Sequence, residues 1–194
     1  MNKKLKIGFD FDRVFVSYPP IIPSSVIEYL YKKKNHKLSY RIPGKFEQKI
    51  RILSHTSFLR PPIKANITTL KKIFNNDRYE IYLISSRFSF LKKQTKMWDE
   101  KHKISKYFEK MYFNFNDRQP HLFKDDVIKR EKIEKFVDDD LDLLLFLSKN
   151  NPDIEFFWLS SQKKSPQLPD NIRQIKNLEE LRKKYLSSTL KSDS

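Results

Sequence analysis

The chain has 194 residues, 38% of them hydrophobic, no cysteine and a formal net charge of +16. This composition fits one globular domain, and the lack of cysteine excludes disulfides, thiolate catalysis and zinc–thiolate sites. We find no apolar stretch near the roughly 20 residues of a membrane span and no apolar signal segment after the N-terminal lysines, so we expect a cytoplasmic protein without membrane contact.

The first third of the chain predicts one strand and three helices. Residues 5–12, LKIGFDFD, form an apolar run typical of a buried strand. After a proline-rich loop, a capping box that begins at Ser25 predicts a short helix. Residues 44–57 predict a second helix, with one apolar face formed by Phe46, Ile50 and Leu53. A third helix follows Pro61-Pro62, because apolar residues recur there at helical spacing.

The remaining chain alternates strands with helices. The predicted strands are residues 79–86, 111–115, 134–140 and 154–159, with a small one at 172–175. A lysine-rich helix with Leu91 and Trp98 inward follows the first of them, and later helices begin near Phe123, after the acidic run, and at Asn177. This alternation predicts an α/β fold with a mainly parallel sheet covered by helices on both faces.

Polar side chains follow three of these strands at the point where each ends. Asp10 and Asp12 end the first, Ser85 and Ser86 the second, and Asp138 to Asp140 the fourth. Parallel sheets bind ligands at the carboxyl ends of their strands. Asp10 and Asp12 point to the same side of a strand, and two close carboxylates repel each other unless a cation or a shared proton lies between them. We therefore predict a cation or catalytic site at this edge.

The motifs around these strand ends resemble the haloacid dehalogenase-like superfamily of phosphoryl-transfer enzymes. Its first motif, an apolar strand followed by Asp-x-Asp-x-Thr/Val, matches IGFDFDRV with Asp10, Asp12 and Val14. Its second, a strand ending in Ser or Thr, matches IYLIS at Ser85. Its fourth, a strand ending in acids, matches KFVDDDLD with Asp138, Asp139 and Asp142.

The third motif of this superfamily is a basic residue near the start of the helix before the fourth strand. Lys124 fits this place best, and Lys129 and Lys132 are alternatives. The order and spacing of the four motifs fit over residues 5–160. The resemblance implies a Rossmann-like three-layer α/β/α fold with strand order 3-2-1-4-5.

The resemblance also implies a function, that of a Mg²⁺-dependent phosphatase. Asp10 is the implied nucleophile, which forms an aspartyl phosphate, and Asp12 is the implied general acid and base. The implied phosphate ligands are Ser85 and Lys124, with Ser86 and Arg87 as further candidates. The implied magnesium ligands are Asp10, Asp12, Asp138 and Asp139. Asp140 fits best as the N-cap of the next helix.

One residue departs from the family pattern, and one segment predicts an insertion. Arg13 stands where the family often has glycine, so the turn after the second aspartate lacks glycine's conformational freedom. We predict that residues 1–15 and 61–186 form the core. Residues 16–60 are expected to form a small helical cap rich in Lys and Arg, and residues 187–194 a disordered tail. A basic cap favours a substrate with more negative charge than one phosphate, such as a nucleotide, so a nucleotidase is one expectation.

The net charge leaves two interpretations open. It indicates either a nucleic-acid partner, bound non-specifically, or a composition bias, since lysine dominates over arginine, which binds phosphate with better geometry. Two alternative functions follow: a nucleic-acid-binding or regulatory protein with little catalysis on the same scaffold, and a phosphotransferase or phosphonatase of the same fold. The intact Asp10 and Asp12 pair favours an enzyme that acts on a small phosphorylated substrate.

Overall fold

The computed structural model describes residues 3–18, 40–163 and 166–187. The helix predicted after Ser25 lies outside these residues, as does the predicted tail beyond Ser187. In the described part of the chain, no helix is long and apolar enough to cross a bilayer.

One parallel sheet of six strands organises the molecule. The strands are β1 (Leu5–Phe9), β2 (Tyr79–Ser85), β3 (Lys110–Phe113), β4 (Lys135–Asp138), β5 (Glu155–Leu159) and β6 (Ile172–Ile175). Their order is β3-β2-β1-β4-β5-β6. The predicted order of the first five strands is confirmed, and β6 extends the sheet at the β5 edge. The order reverses between β1 and β4, where such sheets place their ligands.

Helices cover both faces of the sheet. They are α1 (Lys45–Ser54), α2 (Lys64–Phe74), α3 (Lys92–His102), α4 (Pro120–Glu131), α5 (Leu141–Asn150) and α6 (Leu178–Glu180), which continues as a π-helical segment (Leu181–Leu186). Ser89–Leu91 and Ser105–Tyr107 form short 3₁₀ turns. One core joins α2, α3 and α6 to one face, with Phe9 and Trp98 fully buried, and the other joins α4 and α5 to the opposite face around Phe136. The three-layer α/β/α prediction is confirmed.

Gly8 allows β1 and β4 to pack side by side against the second core. A Cβ atom at Gly8 would lie 2.7 Å from Cδ2 of the Phe136 ring, closer than carbon atoms approach. Glycine is thus required by close packing and not by a turn. It keeps the end of β1 next to the end of β4, which is where the acidic residues follow.

Several predicted elements are correct in place but not in extent. β1 ends at Phe9, so Asp10 to Asp12 lie in the loop that follows, and β4 ends at Asp138 because Asp140 starts α5. The prediction that the Leu91 and Trp98 side chains point inward is confirmed, because these residues are 5% and 0% exposed. The apolar face of α1 formed by Phe46, Ile50 and Leu53 is exposed.

Candidate active site

Three neighbouring strand ends bring the predicted residues to one place. β2 ends in Ser85, β4 ends in Asp138, and Asp10 follows β1 between them. The Asp10 N–H donates to the Val137 carbonyl at 2.9 Å, which extends the β1–β4 pairing past the strand and fixes the Asp10 backbone. All three side chains line one cavity of about 180 Å³. The structure therefore brings these three predicted residues together at this edge; their function as a site stays a prediction.

Three carboxylates form a compact acidic cluster in this cavity. Asp10, Asp138 and Asp139 each offer an oxygen within 4.8 Å of the others, and Asp10 and Asp138 are buried. Burial, which disfavours a charge, raises the pKa of Asp10 to about 7, and Asp138 and Asp12 add repulsion to this. Burial also raises the pKa of Asp138 and of Asp139. The three carboxylates can be ionised together only if a cation lies beside them.

Lys124 supplies one such cation. Its Nζ donates to Asp10 Oδ1 and to Asp138 Oδ2, both at 2.6 Å, and the side chain is buried. Burial acts to lower the pKa of Lys124, but the two carboxylates outweigh it and raise the pKa. Lys129 instead pairs with Asp125 near the surface, and Lys132 caps the end of α4. The structure thus places Lys124, and not its two alternatives, in the site.

Arg13 supplies a second cation, at the position where the family often has glycine. It adopts a left-handed backbone conformation, with φ of 60°, so it performs the turn that glycine makes easily. Its Nη1 lies 2.8 Å from Asp139 Oδ2. Arg13 therefore connects the turn after β1 to the acidic end of β4.

Asp12 lies in a two-point ion pair with Arg87. Nε and Nη2 of Arg87 donate to the two carboxylate oxygens, each at 2.7 Å, and Nη1 donates to Thr95 Oγ1 at 3.1 Å. Burial acts to raise the pKa of Asp12, but the Arg87 guanidinium dominates and holds this pKa well below its usual range. Asp12 is therefore ionised in this arrangement, and the contact with Arg87 makes it a weaker base than a free aspartate. Arg87, predicted to bind phosphate, here binds Asp12.

The two serines after β2 differ in their environment. Ser85 is buried, and its Oγ accepts from the Arg87 N–H at 3.4 Å. The Oγ of Ser86 is buried and has no hydrogen-bond partner in the described part of the chain. Both residues line the cavity, next to Lys124. Both remain candidates to donate to a bound phosphoryl group.

Residues that the sequence analysis did not single out form a further wall of the cavity. His55 and Arg60 follow α1, and both are buried. Nε2 of His55 lies 3.0 Å from Nη2 of Arg60, and its Nδ1 lies 2.7 Å from the Arg51 carbonyl. These partners require a neutral ring that donates from Nδ1, and burial with Arg60 and Arg87 lowers the pKa of His55 to about 3. Isolated residues in a loop carry no motif, so no sequence signal identifies them.

The acidic cluster fits a magnesium ion. Mg²⁺ prefers oxygen ligands, and carboxylates are its usual protein ligands. When all three are ionised, Asp10, Asp138 and Asp139 carry three negative charges, against one positive charge each on Lys124 and Arg13. The excess negative charge is buried, so a cation stabilises it. These three residues would hold the ion; the predicted contribution of Asp12 stays a prediction.

The chain resembles several solved structures in fold, although neither a protein-family model nor a curated protein matches its sequence. A haloacid dehalogenase-like hydrolase from Burkholderia xenovorans LB400 is 11% identical, with a TM-score of 0.60 over 97% of this chain and 100% of that one. A haloacid dehalogenase family enzyme from Bacteroides thetaiotaomicron, solved with magnesium and inorganic phosphate, is 15% identical, with a TM-score of 0.53 over 83% and 96%. A chain of the Pnkp1/Rnl/Hen1 RNA repair complex is 12% identical, with a TM-score of 0.52; the match covers 84% of this chain and 46% of that one.

Fold and site together define an α/β protein with a buried acidic cluster at the carboxyl edge of a parallel sheet. The chain has the haloacid dehalogenase-like fold. The resemblance inferred from the four motifs is thereby confirmed for the fold.

Proposed function

We propose that the protein is a Mg²⁺-dependent phosphatase that hydrolyses a phosphate monoester through an aspartyl phosphate on Asp10. The observation that carries this proposal is the cluster of Asp10, Asp138 and Asp139 within 4.8 Å, with Lys124 at 2.6 Å from Asp10. A nucleophilic carboxylate, acidic metal ligands and a phosphate-neutralising cation are the parts that phosphoryl transfer needs.

In the proposed reaction, the first step transfers the phosphoryl group to Asp10. A carboxylate oxygen of Asp10 attacks phosphorus, and the bond from phosphorus to the leaving oxygen breaks. Lys124 contacts Asp10, so it can neutralise the oxygens of the group in transfer. When bound to Asp10, Asp138 and Asp139, Mg²⁺ supplies positive charge that offsets the repulsion between the carboxylates and the phosphate. Water then attacks the aspartyl phosphate and releases inorganic phosphate.

Asp12 is the group we propose for proton transfer. In the first step it gives a proton to the leaving oxygen, and in the second it takes one from the attacking water. The ion pair with Arg87 keeps Asp12 ionised, as the second step requires, but it also lowers the basicity of Asp12. The first step requires a protonated Asp12, so the Asp12–Arg87 pair must loosen when the substrate binds.

The test is the Asp10→Asn variant. Asparagine has the same shape but is a far weaker nucleophile, so we expect a folded protein whose turnover falls by at least about a thousandfold. Hydrolysis of para-nitrophenyl phosphate is measured with Mg²⁺ and with chelator. Asp153→Asn, in an exposed turn before β5, is the matched control and should retain full activity. Near-normal turnover by Asp10→Asn would show that the covalent mechanism is wrong.

Nucleotides are the first substrate class to test, and polynucleotide ends are a second candidate. The net charge of +16 favours polyanionic substrates, and a protein of similar fold belongs to an RNA repair complex. Nucleic-acid affinity that rests on exposed lysines falls steeply with salt. We therefore measure hydrolysis of nucleotides, sugar phosphates and phosphorylated oligonucleotides, and oligonucleotide binding from 0.05 to 0.3 M salt. Binding without hydrolysis would favour a nucleic-acid-binding protein, and transfer to an added alcohol would favour a phosphotransferase.

A further inference from the structure

We propose that Arg60 binds a second anionic group of the substrate, a phosphate or a carboxylate held a few bonds from the leaving oxygen. This inference rests on the proposed function, because it concerns the substrate of the same site. It assigns a specificity role to a residue outside the four motifs.

Arg60 is a buried cation with an unused donor. Its side chain is 3% exposed. Nε donates to the Ser54 carbonyl at 3.3 Å, and Nη2 donates to His55 Nε2 at 3.0 Å. Nη1 is buried and has no hydrogen-bond partner among the described residues. Because burying an unsatisfied donor on a charged group is costly, this arrangement favours a ligand that accepts from Nη1.

Asp12 does not satisfy Arg60. The Asp12 oxygen nearest Nη1 is 3.7 Å away, beyond hydrogen-bond distance. Both oxygens of Asp12 already accept from Arg87 at 2.7 Å. Among the described residues, this wall of the cavity therefore holds one carboxylate against two guanidinium groups, and the neutral His55 adds no charge. The excess positive charge attracts an anion.

The position of Arg60 indicates which part of a substrate it meets. It lines the same cavity as Asp10, Ser85 and Lys124, where the reacting phosphate is proposed to bind. It also lies beside Asp12, which is proposed to protonate the leaving oxygen. A group that reaches Nη1 is thus on the leaving-group side of the phosphoryl group. Because Nη1 lies 3.7 Å from Asp12 Oδ1, the second anionic group must be close to the leaving oxygen.

Other residues hold Arg60 in place. His55 accepts from Nη2, the Tyr18 ring lies 5.3 Å from the guanidinium carbon, and Trp98 Nε1 donates to the Arg60 carbonyl at 2.7 Å. Arg51, the other arginine of this wall, is paired with Glu47 at 2.6 Å. Arg60 is therefore fixed before any ligand binds, which lowers the entropic cost of binding.

The test measures binding to the Asp10→Asn variant, in which turnover is blocked. Two pairs of probes differ only in the second anion: ethylene glycol monophosphate against the bisphosphate, and glycerol 2-phosphate against 2-phosphoglycerate. In calorimetric titrations at 0.15 M salt and fixed free Mg²⁺, we expect the doubly anionic member of at least one pair to bind about tenfold to a hundredfold more tightly. The first pair tests a phosphate and the second a carboxylate.

A second substitution assigns this preference to Arg60. In the background of Asp10→Asn, Arg60→Gln should remove the preference, and Arg60→Lys should retain only part of it because lysine lacks the planar guanidinium. Arg78→Gln removes the same charge in the turn before β2, at the opposite edge of the sheet, and should keep the full preference. A preference that persists in folded Arg60→Gln overturns the inference. If Arg60→Gln does not fold, equal affinities within both probe pairs in Asp10→Asn alone overturn it.

The two proposals fail in different ways. If the unmodified protein hydrolyses no phosphate ester with Mg²⁺, the proposed function is wrong, whatever the titrations show. If it hydrolyses esters but binds each pair equally, only the assignment of Arg60 is wrong.

Discussion

Arg13 combines an unfavourable backbone conformation with a side chain that contacts the acidic cluster. A left-handed conformation costs a residue other than glycine about 1–3 kcal/mol, and Arg13 has this conformation, with φ of 60°. Its guanidinium contacts Asp139, one of the proposed magnesium ligands. The side chain therefore competes with a metal ion for that carboxylate.

Removal of the Arg13 charge should strengthen magnesium binding. We expect Arg13→Gly and Arg13→Asn, both of which suit a left-handed turn, to increase Mg²⁺ affinity by about twofold to fivefold, since a partly exposed ion pair contributes up to about 1 kcal/mol. Calorimetric titration with Mg²⁺ measures this, and Arg13→Lys, which keeps the charge, is the control. Weaker binding in both neutral variants would show that Arg13 supports the metal site.

We expect Asp12 to contribute most to the hydrolysis of substrates whose leaving group must be protonated. Asp12→Asn cannot donate one, so hydrolysis of an alkyl phosphate should fall by about a hundredfold to ten-thousandfold. Para-nitrophenyl phosphate has a stable leaving group and should lose much less. Steady-state kinetics on both substrates give the ratio. An equal loss on the two substrates contradicts the role of general acid.

The sequence allowed prediction of those site residues that directly follow strands or occupy family motifs. Asp10, Ser85 and Asp138 follow three strands, and parallel topology alone brings such residues to one edge. Arg60 and His55 could not be predicted in this way, because they reach the cavity from a loop after α1. The partner of Arg87 was also unforeseen, since a contact with Asp12 depends on tertiary packing.

At the scale of secondary-structure elements, the turn between β4 and α5 gives three consecutive aspartates different environments. Asp138 and Asp139 belong to the acidic cluster. Asp140 caps α5, since its side chain accepts from the N–H groups of Asp142 and Leu143. The prediction that Asp140 is an N-cap is confirmed. Asp142, the further acid of the fourth motif, is exposed in the first turn of α5.

Because their environments differ, we expect substitution of two of these aspartates to reduce Mg²⁺ affinity and substitution of the third to reduce stability. Asp138→Asn and Asp139→Asn should each weaken Mg²⁺ binding by at least about tenfold, because a charged ligand is lost. Asp140→Ala should instead reduce the free energy of unfolding by about 1 kcal/mol, the usual contribution of an N-cap, with Mg²⁺ affinity retained. Calorimetry and urea denaturation distinguish the two effects. Unchanged Mg²⁺ affinity in both asparagine variants would remove the fourth motif from the site.

Element boundaries were predicted less well than element positions. The predicted strands at 5–12 and 134–140 both run past the real ends of β1 and β4, because polar residues that follow a strand leave the sheet to form turns and caps. The apolar spacing of α1 correctly predicts a helix, but spacing alone does not tell whether a face is buried. The cap at 16–60 stays a prediction, since part of it lies outside the described residues.

For the whole molecule, the buried acidic cluster links stability to pH. Asp10 has a pKa of about 7 in the folded protein, mainly because of burial, against about 3.9 in an unfolded chain. Between these values the folded state holds a proton that the unfolded state has lost. Through this group, stability therefore falls as the pH rises from about 4 to about 7.

The Asp10→Asn substitution should remove this loss of stability at higher pH. In chelator, we expect the variant to be more stable than the unmodified protein at pH 8, by about 1–4 kcal/mol, and the difference to shrink towards pH 5 as Asp10 gains its proton. Urea denaturation from pH 5 to 8 measures the difference. Saturating Mg²⁺ should reverse the order, because it stabilises the intact cluster. Lower stability of the variant at pH 8 in chelator would mean that Lys124 already offsets the buried charge.

The overall topology is predictable because four motifs in order imply a known strand order, and the strand at 172–175 is predicted as well; its place beside β5 and the contacts of His55 and Arg60 needed the structure. The net charge of +16 did not identify the site, whose centre is acidic.

The central position of β1 has a consequence for how the chain is made. β1 is synthesised before both of its partners in the sheet, residues 79–83 of β2 and 135–137 of β4. At about 5–20 residues per second, a ribosome needs roughly 6 to 26 s to go from Phe9 to Val137. During this time the apolar β1 segment has no sheet partner on its β4 side, and unpaired strand edges of this kind are prone to aggregate.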